Sequence, residues 1–233
     1  MAELAVSILR GNDWAEYRVP LMRHQTVLDL VTWIQRHRDP SLAYRFACRV
    51  GMCGSCAMTV NGRPRWTCRT RVEEVAEDGR LRLAPLANFP VIKDLAVDME
   101  PFFARHEKAA ARFVPGGGDG DFARIRPDSP ERRRADAGIE CIGCGVCAAA
   151  CETVAAFPDY LGPAALNRAW TLVNDRRDAA GGARLLAVAG DLGAHGCASH
   201  QECSEVCPKH LDPAGAIAGL KRAAFWSVLK GGR

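Results

Sequence analysis

The chain has 233 residues, 25% of them charged and 48% hydrophobic, with a formal net charge of +4. These values describe an ordinary soluble globular protein long enough for two modest domains. Its eleven cysteines exclude a small secreted disulfide scaffold, which is shorter and uses an even number of thiols.

Residues 1–19 contain no basic stretch followed by an apolar one, so no secretory leader is expected. No run approaches the roughly 18 apolar residues that a membrane-spanning helix needs. Arg124, Arg126, Arg132, Arg133 and Arg134 form one basic stretch. With no nucleic-acid fold around it, that stretch reads as a solvated linker or a face toward a partner subunit.

Residues 2–9 and 15–21 alternate around Gly11-Asn12-Asp13 and predict a β-hairpin. Thr26 then caps a helix with Val27, Leu30, Val31 and Ile34 on one face. Arg36, His37 and Arg38 suit its C-terminal end, and Pro40 stops it.

The first metal motif follows. Cys48, Cys53 and Cys56, with Cys68 further on, have the plant-type [2Fe–2S] spacing C-x4-C-x2-C…C. Gly51 and Gly54 lie within that loop. Glycine lets the backbone approach a cluster so that amide N–H groups face its anionic sulfurs. The Asn61-Gly62 turn predicts a hairpin that returns the chain toward Cys68. Structural zinc pairs its thiols differently, which disfavours a zinc site.

Leu81–Leu86 reads as the last strand of this part. The segment 89–98 crosses to a helical region around 99–112, 115–121 is a glycine-rich loop, and Pro127 and Pro130 continue an irregular stretch.

Cys141, Cys144, Cys147 and Cys151 then follow the order C-x2-C-x2-C-x3-C. Cys197, Cys203 and Cys207-Pro208 repeat it with one thiol missing. In two-cluster bacterial ferredoxins the fourth cysteine of each run serves the other cluster. That assigns Cys141, Cys144, Cys147 and Cys207 to a [4Fe–4S] cluster. Cys151, Cys197 and Cys203 remain for a second cluster, read first as [3Fe–4S]. The absent thiol falls at His200, whose imidazole can either ligate a fourth iron or lie beside the cluster without binding it. Pro163 opens a helix with Leu166, Trp170 and Val173 on one face, and a last helix covers 213–229 with Ile217, Leu220, Ala224 and Val228 as an apolar stripe.

The motifs together resemble the iron–sulfur subunit of succinate dehydrogenase and fumarate reductase. The resemblance rests on Cys48-Arg49, Cys53-Gly54-Ser55-Cys56-Ala57-Met58, Val91-Ile92-Lys93-Asp94-Leu95, Glu140-Cys141-Ile142-Gly143-Cys144, Gly162-Pro163-Ala164 and Cys203-Ser204-Glu205-Val206-Cys207-Pro208-Lys209. It implies an α+β protein. Residues 1–97 would form a plant-type ferredoxin (β-grasp) domain, and residues 98–233 an all-α domain with the bacterial two-cluster motifs.

The resemblance also implies a flavoprotein partner with covalent FAD, membrane-anchor cytochrome b subunits with haem b and a quinone site, and residence at the cytoplasmic face of the cell membrane. Glu152 after Cys151, Ala198 after Cys197, and Thr153–Phe157 where ubiquinone-linked members carry a tryptophan pair liken the chain to menaquinone-linked members with a di-haem anchor. No catalytic set stands out, and the chemistry expected of this chain is electron transfer. The alternatives are the iron–sulfur component of a non-quinone enzyme, a diffusible electron carrier, and a non-redox zinc or regulatory module.

Overall fold

Alternating side chains over Glu3–Arg10 (β1) send Leu4, Val6 and Ile8 to one side, where all three are buried. A two-residue turn, Gly11-Asn12, returns the chain as Asp13–Pro20 (β2), antiparallel to β1. The turn is one residue shorter than the sequence suggests. Gly11 at φ +62° supplies the backbone conformation that so tight a hairpin needs. The computed structural model describes residues 3–117 and 125–229.

Helix α1 (Val27–His37) begins as expected at Thr26. Its hydroxyl accepts from the Asp29 amide, and the Asp29 carboxylate accepts in return from the Thr26 amide. Such a reciprocal cap is worth about 1 kcal/mol. Val27, Leu30, Val31 and Ile34 are all fully buried. Ala57–Val60 (β3) and Arg63–Trp66 (β4) are joined by Asn61-Gly62, both with positive φ, as that turn requires. After a short helical turn, Val72–Val75 (α2), comes Arg80–Ala84 (β5).

The five-stranded sheet has the order β2-β1-β5-β3-β4, with β1 and β5 parallel. Val6 opposite Leu81 and Ile8 opposite Leu83 carry one apolar face, on which α1 packs. Val91–Lys93 (β6) and Ala96–Val97 (β7) make a small antiparallel pair.

The remaining elements are helical: Glu100–Lys108 (α3), Pro130–Ile139 (α4), Val146–Ala149 (α5), Glu152–Ala156 (α6), Gly162–Val173 (α7), Gly181–Ala189 (α8), Glu202–Glu205 (α9) and Pro213–Leu229 (α10). Helix α4 corrects the expectation of an irregular stretch through Pro130. Ser129 accepts from the Arg132 amide as N-cap, and proline occupies the first turn, where its missing N–H costs nothing. Residues 118–121 of the expected loop, and Arg124, lie outside the described residues.

The chain divides into two compact units, Met1–Met99 with Ile142–Ala150, and Glu100–Cys141 with Cys151–Arg233. The core of the second unit includes Val154, Tyr160, Leu166, Ala169, Val188, Ile217 and Leu220. Helices α7 and α10 approach closely at Gly219, where a Cβ would stand 2.6 Å from the Trp170 ring. The expected α10 stripe holds for Ile217, Leu220 and Ala224 but ends before Val228, which is 76% exposed.

Candidate iron–sulfur centres

Cys48, Cys53, Cys56 and Cys68 converge at one end of the sheet in the first unit. Cys56 and Cys68 are buried together against Leu28, with Tyr44 and Trp66 around them. The Cys56 carbonyl accepts from both the amide and the hydroxyl of Thr67, at 3.3 and 2.7 Å. This pair of bonds closes the β3–β4 ribbon and brings Cys68 back beside Cys56.

The Cys48 sulfur accepts from three amides, those of Val50, Met52 and Cys53, at 3.3–3.4 Å. The Gly51 amide reaches the Cys68 sulfur. Arg49 clamps this loop to α1, donating to Asp29 at 3.1 Å and Thr32 at 3.3 Å. Asp29 thus serves both the helix cap and the loop.

The thiols are electrostatically unlike. The Ser55 hydroxyl and the Cys48 backbone hold Cys53 down at about 6. Burial, reinforced by Cys56, pushes Cys68 up to about 11. Four sulfurs with converging amides and a left-handed Gly51 and Gly54 suit an anionic cluster of iron and sulfide. Among the described residues no group of three or more His, Cys, Asp or Glu side chains could hold a single metal ion. A polynuclear cluster differs in that its own bridging sulfides space the protein thiolates apart.

Cys144 and Cys147 lie on the 142–150 segment of the same unit. That segment is held by Asn88, which donates to the Ala148 carbonyl at 3.0 Å, and by Gly145, whose hydrogen faces the Phe89 ring. Gly54 meets Cys144 directly: a Cβ there would fall 2.6 Å from the Cys144 Cβ.

In the second unit, Glu140 pairs with Lys209 at 3.7 Å, which links the residue before Cys141 to the segment just after Cys207. Cys151, Cys197 and Cys203 also gather there. Burial pushes Cys203 up to about 12, helped by Cys151 and Cys197, and burial raises Cys151. Tyr160 is buried in the core against which Cys151 and Cys197 pack, and burial, with the nearby thiols, pushes its phenol up. Lys221 of α10 donates to the Cys197 carbonyl at 2.8 Å. His200 is half exposed, with Nε2 at 3.7 Å from a Glu152 carboxylate oxygen.

Two sets of polar contacts outside the cysteine motifs are not apparent in the sequence. Asp94 accepts from Arg10 at 3.0 Å and from the Ala43 amide at 2.8 Å. Arg184 and Asp178 form a fully buried pair at 2.6 Å. Asp94 meets Arg10 from 84 positions away, and Arg184 reaches the Ala110 and Arg112 carbonyls from 74 and 72 positions away, so neither set of contacts has a spacing signature.

Comparison with known proteins decides the family. Residues 9–104 match the model of a 2Fe-2S iron-sulfur cluster binding domain, and residues 140–212 that of a 4Fe-4S dicluster domain. The fumarate reductase iron-sulfur subunit of Mycobacterium tuberculosis is 38% identical over 218 residues, covering 92% of this chain and 87% of that protein. The chain belongs to the iron–sulfur subunits of succinate dehydrogenase and fumarate reductase.

The succinate dehydrogenase iron-sulfur subunit of Paracoccus denitrificans, another relative, is 36% identical and covers 84% of this chain and 74% of that one. A chain of the Mycobacterium smegmatis Sdh1 complex in the apo form superposes with a TM-score of 0.86 at 27% identity, over 98% of this chain and 97% of that one. As a subunit of this family the protein is the electron-transfer part of an oxidoreductase complex. Its fold is as expected from the sequence, a 2Fe-2S ferredoxin domain followed by a helical 4Fe-4S dicluster domain.

Proposed function

We propose that this chain carries single electrons between the FAD of a flavoprotein subunit and a quinone at a haem-bearing cytochrome b membrane anchor. In this reading the ferredoxin domain occupies residues 1–97 and the helical domain 98–233. Cys48, Cys53, Cys56 and Cys68 hold a [2Fe–2S] cluster. Cys141, Cys144, Cys147 and Cys207 hold a [4Fe–4S] cluster, and Cys151, Cys197 and Cys203 a [3Fe–4S] cluster.

When bound, such clusters supply one-electron redox chemistry at potentials set by hydrogen bonding and burial. The residues of the chain provide the rest. Backbone amides of the Cys48–Cys53 loop neutralise sulfur charge, and Gly54 lets one thiol loop touch the next. Val154, Leu161 and Ala194 set apolar packing beside the third thiol set, of which Cys203 is buried and Cys151 and Cys197 are half-buried.

The observation that carries the reading is the division of eleven cysteines into sets of four, four and three with none left over. The exposed end of the second unit supports the membrane side. Leu186, Phe225, Trp226, Val228 and Leu229 are all more than half exposed, on α8 and α10. Helix α10 also holds Cys197 through Lys221. One helix therefore joins the third thiol set to an apolar face that fits an anchor subunit. Among the described residues no helix is long and apolar enough to cross a membrane; in this reading the anchor subunit holds the chain at the cytoplasmic face.

Cys147→Ala in the assembled complex tests the series. Dye reduction at the flavin should persist while quinone reduction stops. Quinone reduction at the wild-type rate would refute the order.

A further inference from the structure

The three amides that donate to the Cys48 sulfur belong to a loop that burial does not hold, since Val50 and Met52 are exposed. Arg49 stands at φ +57°, a left-handed conformation that residues with a Cβ rarely adopt. That twist, with Gly51 at φ +72°, turns successive N–H groups toward one point, as anion-binding backbone does. Its side chain holds Arg49 there. The guanidinium donates to Asp29 at 3.1 Å and to Thr32 at 3.3 Å, and lies over the Phe46 ring at 5.1 Å. Asp29 is fixed in turn: one carboxylate oxygen accepts from the Thr26 amide and hydroxyl, the other from Arg49.

Resting on the assignment of a [2Fe–2S] cluster to Cys48, Cys53, Cys56 and Cys68, we propose that Asp29 is a positioning residue for that centre. Acting through Arg49, it aims the Val50, Met52 and Cys53 amides at the Cys48 sulfur and so raises the reduction potential. Reduction adds one electron to the cluster and concentrates negative charge on the ligand sulfurs. An N–H aimed at such a sulfur therefore stabilises the reduced form more than the oxidised one. The electron arrives from the flavin side and leaves toward the second centre. No bond at Asp29 or Arg49 is made or broken. The sign of the effect separates positioning from bare charge. A carboxylate acting through space alone repels the incoming electron and lowers the potential. One that acts by aiming donors raises it.

The test is a redox titration of the purified complex followed by electron paramagnetic resonance of the reduced first centre, on two variants. Asp29→Asn keeps an oxygen for the Thr26 cap and turns an amide nitrogen toward Arg49, so the helix start survives and the clamp is lost. Its midpoint potential should fall, whereas loss of the charge alone would raise it. Arg49→Lys keeps the charge but loses the forked contact to Asp29 and Thr32, and its midpoint should fall as well. Magnetic couplings from exchanged amide deuterons at the reduced centre should weaken in both variants, with the other two centres unmoved. An unchanged or raised midpoint in either variant overturns the proposal, and Arg49→Lys decides it alone where Asp29→Asn fails to assemble. Absence of a [2Fe–2S] signal from the reduced wild-type complex would instead refute the cluster assignment.

Discussion

Gly54 and Cys144 stand so close that one further carbon has no place between them: a Cβ on Gly54 would lie 2.6 Å from the Cys144 Cβ and 2.7 Å from its Cα. The two residues belong to different cysteine motifs, 90 positions apart. Gly54 also holds φ +70°, which costs other residues about 1–2 kcal/mol. Gly54→Ala should therefore destabilise the first unit by at least that amount and push the Cys144 segment away. Iron analysis and thermal melting should both report a loss, and full iron content with an unchanged melting point would contradict it.

Arg184 should be among the residues most costly to replace in the second unit. Its guanidinium donates to the carbonyls of Ala110 and Arg112 at 2.8 and 2.7 Å and to Asp178, which itself accepts from the Val114 and Ala180 amides. Removing one partner of such a buried pair costs about 3–5 kcal/mol, because the other charge is left alone. Arg184→Met should lose that much in denaturant titration. Adding Asp178→Leu should restore part of it by removing the orphaned carboxylate.

Asp94 ties three places of the first unit together through Arg10 and the Ala43 amide. Arg10 also pairs with Asp39, which accepts from the Tyr17 hydroxyl at 2.9 Å. Charge-assisted hydrogen bonds are worth about 1.5–3 kcal/mol. Asp94→Ala should cost at least this range, and Asp94→Asn less, since the amide oxygen can still accept from Ala43. Equal stability of the alanine variant and the wild type would remove Asp94 from the framework.

His106 gives a pH dependence. Burial, and then the charge of Arg168, pull its pKa below the ordinary imidazole value, against the opposing bond to the Phe102 carbonyl. The unfolded chain thus takes up this proton first as pH falls. The stabilising contribution is complete above about 6.5 and is lost as pH falls from there through the folded value. His106→Gln should flatten the fall in stability between neutral and mildly acidic pH, measured by chemical denaturation. An identical slope in both proteins would refute the assignment.

The sheet, the first helix and the grouping of thiols were legible because each has a local rule. Thr26 with Asp29 is a cap, Asn61-Gly62 is a hairpin turn, and a cysteine run has a period. Helix α4 was missed because Pro130 was read as a breaker, although a serine before a proline also opens a helix. Helix α8 was missed because Gly181-Gly182 hides its start and its buried Arg184 breaks the apolar pattern. Arg184 and Asp94 act through partners between 51 and 84 positions away, the Ala110 and Arg112 carbonyls, Ala43 and Arg10, and no window along the chain reveals such pairings.

The double use of Asp29 has a consequence for assembly. Because one carboxylate both starts α1 and grips Arg49 of the cysteine loop, the nest for the first cofactor is cast when the neighbouring helix forms. A donor protein delivering iron and sulfide would then meet a mould already set, and breaking that grip should slow loading more than it weakens the finished product.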